Sequence, residues 1–145
     1  MAYVILNPNE TDKTQVYKIA ENDAEKNNLN INGDFQVISV SDVDFNNFKK
    51  RSKRVTGHDG TNYTWETAGF HETKESLDAL LLDYAQQIKY FLDTNPNHAD
   101  YNFWNTYKNT CETYSTSDIT YPMTGSWEEY CESQSIPYKG ILQLP

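Results

Sequence analysis

Between Leu77 and Leu92 the apolar side chains Leu77, Leu80, Leu81, Tyr84, Ile88, Phe91 and Leu92 are related throughout by steps of three and four. That spacing puts them on one stripe of an α-helix and has no counterpart in a strand, whose period is two. Thr73 stands where an N-cap is needed, and Asn95-Pro96-Asn97 ends the pattern, so a helix is expected from about residue 74 to about residue 94. Phe103, Trp104, Tyr107, Cys111 and Tyr114 mark a second helix over roughly 98–114. The link between the two is short, so they should fold back on each other as an antiparallel hairpin.

Upstream the period changes. Tyr3-Val4-Ile5-Leu6, Val16-Tyr17-Lys18-Ile19-Ala20 and Phe35-Gln36-Val37-Ile38-Ser39-Val40 read as strands, with Asn7-Pro8-Asn9 and Gly33-Asp34 as turn chemistry between them. Residues 21–32 are acidic and rich in Asn, which suits a loop carrying at most a helical turn. Ser41 caps a short helix with Asp42 and Asp44 in its first turn and Phe45 and Phe48 on one face; it should end within Lys49 to Arg54. Asp59-Gly60, between Arg54-Val55-Thr56 and Tyr63-Thr64-Trp65-Glu66, is the strongest hairpin signal in the chain. Ser126-Trp127-Glu128-Glu129 has capping-box spacing before a helix kept short by Pro137, and the chain closes on the apolar run Gly140 to Pro145.

The expected fold is therefore α+β. A small antiparallel N-terminal sheet with one short helix occupies residues 1–69, and an antiparallel helical hairpin with an ordered C-terminal tail occupies 70–145, as two subdomains or one compact domain. At 145 residues the chain is long enough for an ordinary core. Three Trp, eleven Tyr and six Phe argue against disorder.

Charge and motifs narrow the chemistry. A formal charge of −9 disfavours nucleic acid and anionic membrane as partners. No apolar run approaches the ~20 residues of a membrane span, and Met1 to Leu6 lacks the layout of a signal peptide. His71 with Glu75 would share a helical face, but a third ligand and the His-Glu-x-x-His spacing are missing; His58 and His98 are equally isolated. No metal or other cofactor is expected, and the three histidines should be dispensable. Cys111 and Cys131 lack the flanks of a thiol enzyme, and two cysteines are too few for a disulfide framework. Neither a nucleophile elbow nor a phosphate loop is present, so no catalytic residue is assigned and the chain reads as non-enzymatic.

Five of the 12 cationic residues lie between Lys49 and Arg54. Such a run commonly complements a helix C-terminus, but it could also receive phosphates or an acidic protein partner. The aromatic-rich C-terminal third, including Trp104, Tyr107, Tyr114, Trp127, Tyr130 and Tyr138, suits either a helical core or a recognition surface.

The order of these landmarks resembles the tail fibre assembly proteins of tailed bacteriophages. Ser41-Asp42-Val43-Asp44-Phe45 is similar to their acidic segment, Lys53-Arg54-Val55 to their basic turn and Asp59-Gly60 to their hairpin. Trp104-Asn105-Thr106-Tyr107 and Ile119-Thr120-Tyr121-Pro122 are similar to their C-terminal pair, so the likeness spans about residues 1–122. The resemblance implies a protein that binds a viral tail or fibre protein to assist assembly or attachment. It would act in the host cytoplasm or be retained in the virion. A structural virion component such as a tail adaptor or decoration protein, a surface carbohydrate-binding module, and self-association into a homo-oligomer are the alternatives.

Residues 123–145 run past the point where such chains commonly finish. Trp127, Tyr130, Ile136, Tyr138, Ile141, Leu142 and Leu144 are accordingly the expected partner-binding residues. Their apolar side chains should pack either on their own domain or, as the favoured expectation, into a neighbouring chain.

Overall fold

The computed structural model describes residues 1–7, 15–29, 31, 34–68 and 70–145. The expected turns at Pro8-Asn9 and at Gly33 lie outside the described residues. The chain forms two compact units, one of residues 1–69 with 139–145, the other of residues 70–138. The last seven residues thus belong to the N-terminal unit, not to the helical one where the sequence placed them.

In the first unit β1 (Ala2–Leu6) is the centre of a three-stranded antiparallel sheet, between β2 (Lys18–Ala20) and β3 (Gln36–Val40). Val4 faces Ile19 on one side and Ile38 on the other. Between β2 and β3 the acidic stretch does more than turn. Asn22 accepts from Glu25 N at 2.8 Å and caps α1 (Asp23–Asn28), so the described residues of this unit form two helices where the sequence suggested one. α2 (Asp42–Lys50) starts at Ser41, whose hydroxyl accepts from Asp44 N, and stops at Arg51 in the left-handed region (φ 55°) with its N–H on Asn47 O.

α2 turns Phe45 and Phe48 onto the sheet, where they close a core with Ala2, Val4, Ile19 and Tyr63. Burying two such rings stabilises the unit by roughly 1.5–3 kcal/mol each. β4 (Lys53–His58) and β5 (Tyr63–Thr67) form the expected hairpin, with a bulge between Val55 and Gly57. Its tip is a four-residue loop rather than a two-residue turn. Gly60 supplies φ 100°, and Asp59 Oδ1 accepts from the N–H groups of Thr61 and Asn62 at 2.8 and 2.7 Å.

The second unit is helical. α3 (Lys74–Thr94) begins at Thr73, which accepts from Ser76 N, and ends against Asn95. Of its stripe Leu77, Leu81, Tyr84, Ile88, Phe91 and Leu92 are buried and Leu80 is half-buried. α4 (Tyr101–Thr113) folds back on α3 and contributes Trp104, Tyr107 and Cys111 to the same core. α5 (Trp127–Ser133) opens with the capping box at Ser126 and Glu129 and buries Trp127 and Cys131. Among the described residues no helix is long and apolar enough to cross a membrane.

Candidate binding groove

The basic run and the C-terminal tail, far apart in sequence, meet in the first unit. The tail returns along β2 and α2 as a single 3-10 turn over Ile141–Gln143. It is held by polar contacts at both ends. Lys18 Nζ donates to Leu144 O, and Gln143, only 2% exposed, donates to Glu25 Oε1 at 2.7 Å while its own Oε1 accepts from Gly140 N at 2.8 Å. Glycine at 140 permits a close approach, since a Cβ there would lie 3.1 Å from Lys49 Cα and 3.3 Å from its carbonyl oxygen, tighter than ordinary contact.

This docking brings Leu142 beside the core and leaves a groove of about 340 Å³. Phe48, Val55, Trp65, Val16 and Leu142 make its apolar lining; Arg51, Lys53, Arg54 and Asn47 are the polar part. The aromatic wall is fixed by edge-on packing, with Phe48 at 4.8 Å from Trp65 and 5.1 Å from Tyr63 between ring centroids. Trp65 Nε1 is buried without a hydrogen-bond partner among the described residues. Arg54 pairs across the hairpin with Glu66, while Lys53 is exposed. No carboxylate is among the described residues that line the groove.

The other expected contact residues fall elsewhere. Trp127 is fully buried in the helical unit, donating to Tyr107 Oη at 3.1 Å, and is a core residue with no free face. Leu144, 5% exposed, is equally internal to the first unit. Tyr130 is half-buried, its hydroxyl 2.6 Å from that of Tyr114. Ile136 is half-buried behind α5, and Tyr138 donates to Glu132 Oε1 at 2.6 Å. Ile141 is half-buried in the docked tail. The favoured expectation of a tail lying in a neighbouring chain gives way to a tail packed on its own unit. The reason is that Gly140 and Gln143 supply a close approach and two hydrogen bonds that hydropathy alone does not reveal.

A second concavity of about 530 Å³ lies in the helical unit, with Asp118, Ile119, Met123, Glu129, Tyr130 and Ser133 among its lining. Beside it α5 buries an acid that sequence reasoning passed over. Glu128 is 0% exposed and accepts from the Tyr84 hydroxyl at 2.7 Å. A hint was available, since Glu128 and Cys131 are three apart and share the helical face that points inward.

The thiols are poor nucleophiles. Burial pushes Cys111 up to about 12, and burial followed by the Glu128 carboxylate raises Cys131 as well. The histidines have local structural contacts. His58 Nδ1 accepts from Gly60 N and its ring meets Tyr63 edge-on; His98 Nδ1 accepts from Asp100 N beside Phe91; the His71 carbonyl accepts from Met123 N. Among the described residues no three His, Cys, Asp or Glu side chains are grouped as a metal site.

Comparison with family models, with curated proteins and with solved structures finds no match to this chain.

Proposed function

We propose that this chain is a non-enzymatic binding protein that engages another viral protein to assist assembly or attachment of phage tail fibres. The tail-fibre part of this reading rests on the resemblance carried by the acidic segment at Ser41, the basic turn at Lys53 and the Trp104-x-x-Tyr107 helix. The binding part rests on one observation: the basic run and the apolar tail converge on a single groove whose floor is aromatic and whose rim is cationic. Such a surface suits recognition of a polypeptide. The raised thiols of Cys111 and Cys131 support a non-catalytic role.

Co-expression with the fibre and tail proteins of the same phage, followed by affinity capture, tests the reading. A fibre or tail subunit should be retained in stoichiometric amount, and capture of none would overturn it. Mass spectrometry of purified particles then separates an assembly helper, absent from them, from a structural component that stays.

The concavity at Tyr130 favours one other reading, a carbohydrate-binding surface. A half-buried tyrosine ring beside the carboxylates of Asp118 and Glu129 offers a stacking face and acceptors for sugar hydroxyls. Binding on a glycan array that is lost in Tyr130→Ala would support it.

A further inference from the structure

β3 is an open edge. Among the described residues its backbone hydrogen bonds run to β1 alone, so the alternate N–H and C=O groups on its other side meet no strand. The strand is fixed from its faces. Ile38 and Val40 pack against the core that Phe45 and Phe48 close, and Phe35, just before the strand, stacks on Tyr17 with ring centroids 4.9 Å apart. Val37, 44% exposed, is left for a neighbour to cover.

The other edges of this unit are guarded. β4 and β5 carry Lys53, Arg54 and Glu66, charges of the kind that keep an edge from pairing, and the returning tail meets β2. β3 has no such guard. From Phe35 to Ser41 there is no charged residue, whereas Asp34 and Asp42 bracket the stretch. Both are exposed, and neither has an ion-pair partner among the described residues.

Resting on the reading of this chain as a partner-binding protein, we propose that β3 takes an extended segment of the partner as a further strand of the sheet. The segment is uncharged and rich in β-branched residues where it runs along 35–41, with a Lys or Arg at each end to face Asp34 and Asp42. Backbone hydrogen bonds supply the affinity, and the flanking charges supply the choice of partner. A second copy of this chain fits less well. Pairing the whole strand with itself, antiparallel about Ile38, sets Asp34 opposite Asp42 at both ends, and like charges face to face oppose the contact.

A labelled peptide with Lys at each end and alternating Val and Thr between them, matched in length to 35–41, is the probe. One control peptide has Glu at both ends; another has a central Pro-Pro pair, which removes an N–H from each edge. Fluorescence anisotropy should show the probe bound about tenfold or more tighter than either control. Asp34→Asn with Asp42→Asn should weaken the probe about three- to tenfold, the range expected for two exposed ion pairs, with the circular dichroism spectrum retained. Hydrogen exchange should show amides of β3 newly protected in the complex, with those of α3 and α4 unchanged.

Absence of binding, equal affinity for either control peptide, or no gain of protection in β3 would overturn the proposal. So would a protein that sediments as a dimer with β3 protected before any peptide is added. A fibre protein captured by the chain should be displaced by saturating probe; one that stays bound would overturn the edge as the docking site and leave the protein-binding reading intact. Conversely, a probe bound at β3 without any capture of a fibre protein would sustain the edge and sink the tail-fibre reading.

Discussion

The Tyr84 hydroxyl donates to Glu128 Oε1 at 2.7 Å in the interior of the helical unit, joining the middle of α3 to the first turn of α5. Both side chains are essentially inaccessible, at 1% and 0% exposure, so water cannot replace either one. Tyr84→Phe takes away the donor and keeps the ring, and should lower stability by about 1–3 kcal/mol. Glu128→Met takes away the acceptor while keeping a side chain of similar length. A double-mutant cycle by urea unfolding should give a coupling of about 0.5–3 kcal/mol. A coupling near zero would mean that the pair is only adjacent.

The stripe on α3 carries the largest single-residue effects expected. Leu81 and Ile88 are 2% and 0% exposed on the face that packs against α4. Truncating either to Ala removes buried methyl groups and leaves a cavity, a cost of about 2–5 kcal/mol where the site cannot collapse. Leu82, one residue on and 60% exposed, serves as the control. Leu82→Ala should change stability by no more than about 0.5 kcal/mol.

These two cases show where the sequence was readable. The helical period of α3, the Thr73 and Ser41 caps and the Ser126–Glu129 capping box are local signals, and local chemistry settles them. Phe45 and Phe48 share a face by spacing alone, and that face is the buried one. What spacing cannot carry is the pairing of distant segments. Leu142 lies beside Phe48 and Trp65 because Gly140 passes close to Lys49 and Gln143 reaches Glu25, contacts that link residues about a hundred positions apart. The same limit explains Trp127. An aromatic ring reads alike as core or as contact surface until its neighbours are known, and here Tyr107 and Tyr114 enclose it.

Asp59 should make the hairpin sensitive to acid. The backbone N–H groups of Asn62 and then Thr61 hold its carboxyl below the usual 3.8. A depressed folded value means that the unfolded chain takes up the proton first. The contribution is therefore complete well above pH 3.8, starts to fade near that value, and is gone once the pH falls through the lower, folded value. A carboxyl titration by NMR should place Asp59 below 3.8, and Asp59→Ala should remove this part of the acid dependence. An Asp59 that titrates at or above that value would show that the two N–H bonds do not form in solution.

The docked tail gives the sharpest contrast between the expectation from sequence and the structure. If the tail served only a neighbouring chain, removing residues 139–145 would leave this chain's stability untouched. In the structure that removal strips Leu142 and Leu144 from the first unit, withdraws Gln143 from Glu25 and takes the acceptor away from Lys18. Losing the buried Leu144 costs roughly 1.5–3 kcal/mol on burial alone and the half-buried Leu142 adds less, together a sizeable part of the about 5–15 kcal/mol that holds a domain folded. The truncated protein should therefore unfold at a clearly lower temperature. Gly140→Ala makes the same point with one methyl group. Lys49 opposes it with backbone, which cannot swing aside as a side chain would, so a loss of about 1–3 kcal/mol is expected. Hydrogen exchange locates the effect. Faster exchange in β2 and α2, with α3 and α4 unchanged, is the expected pattern in both variants. A truncated chain with the full-length melting temperature and unchanged exchange in β2 would return the tail to the role of a free arm.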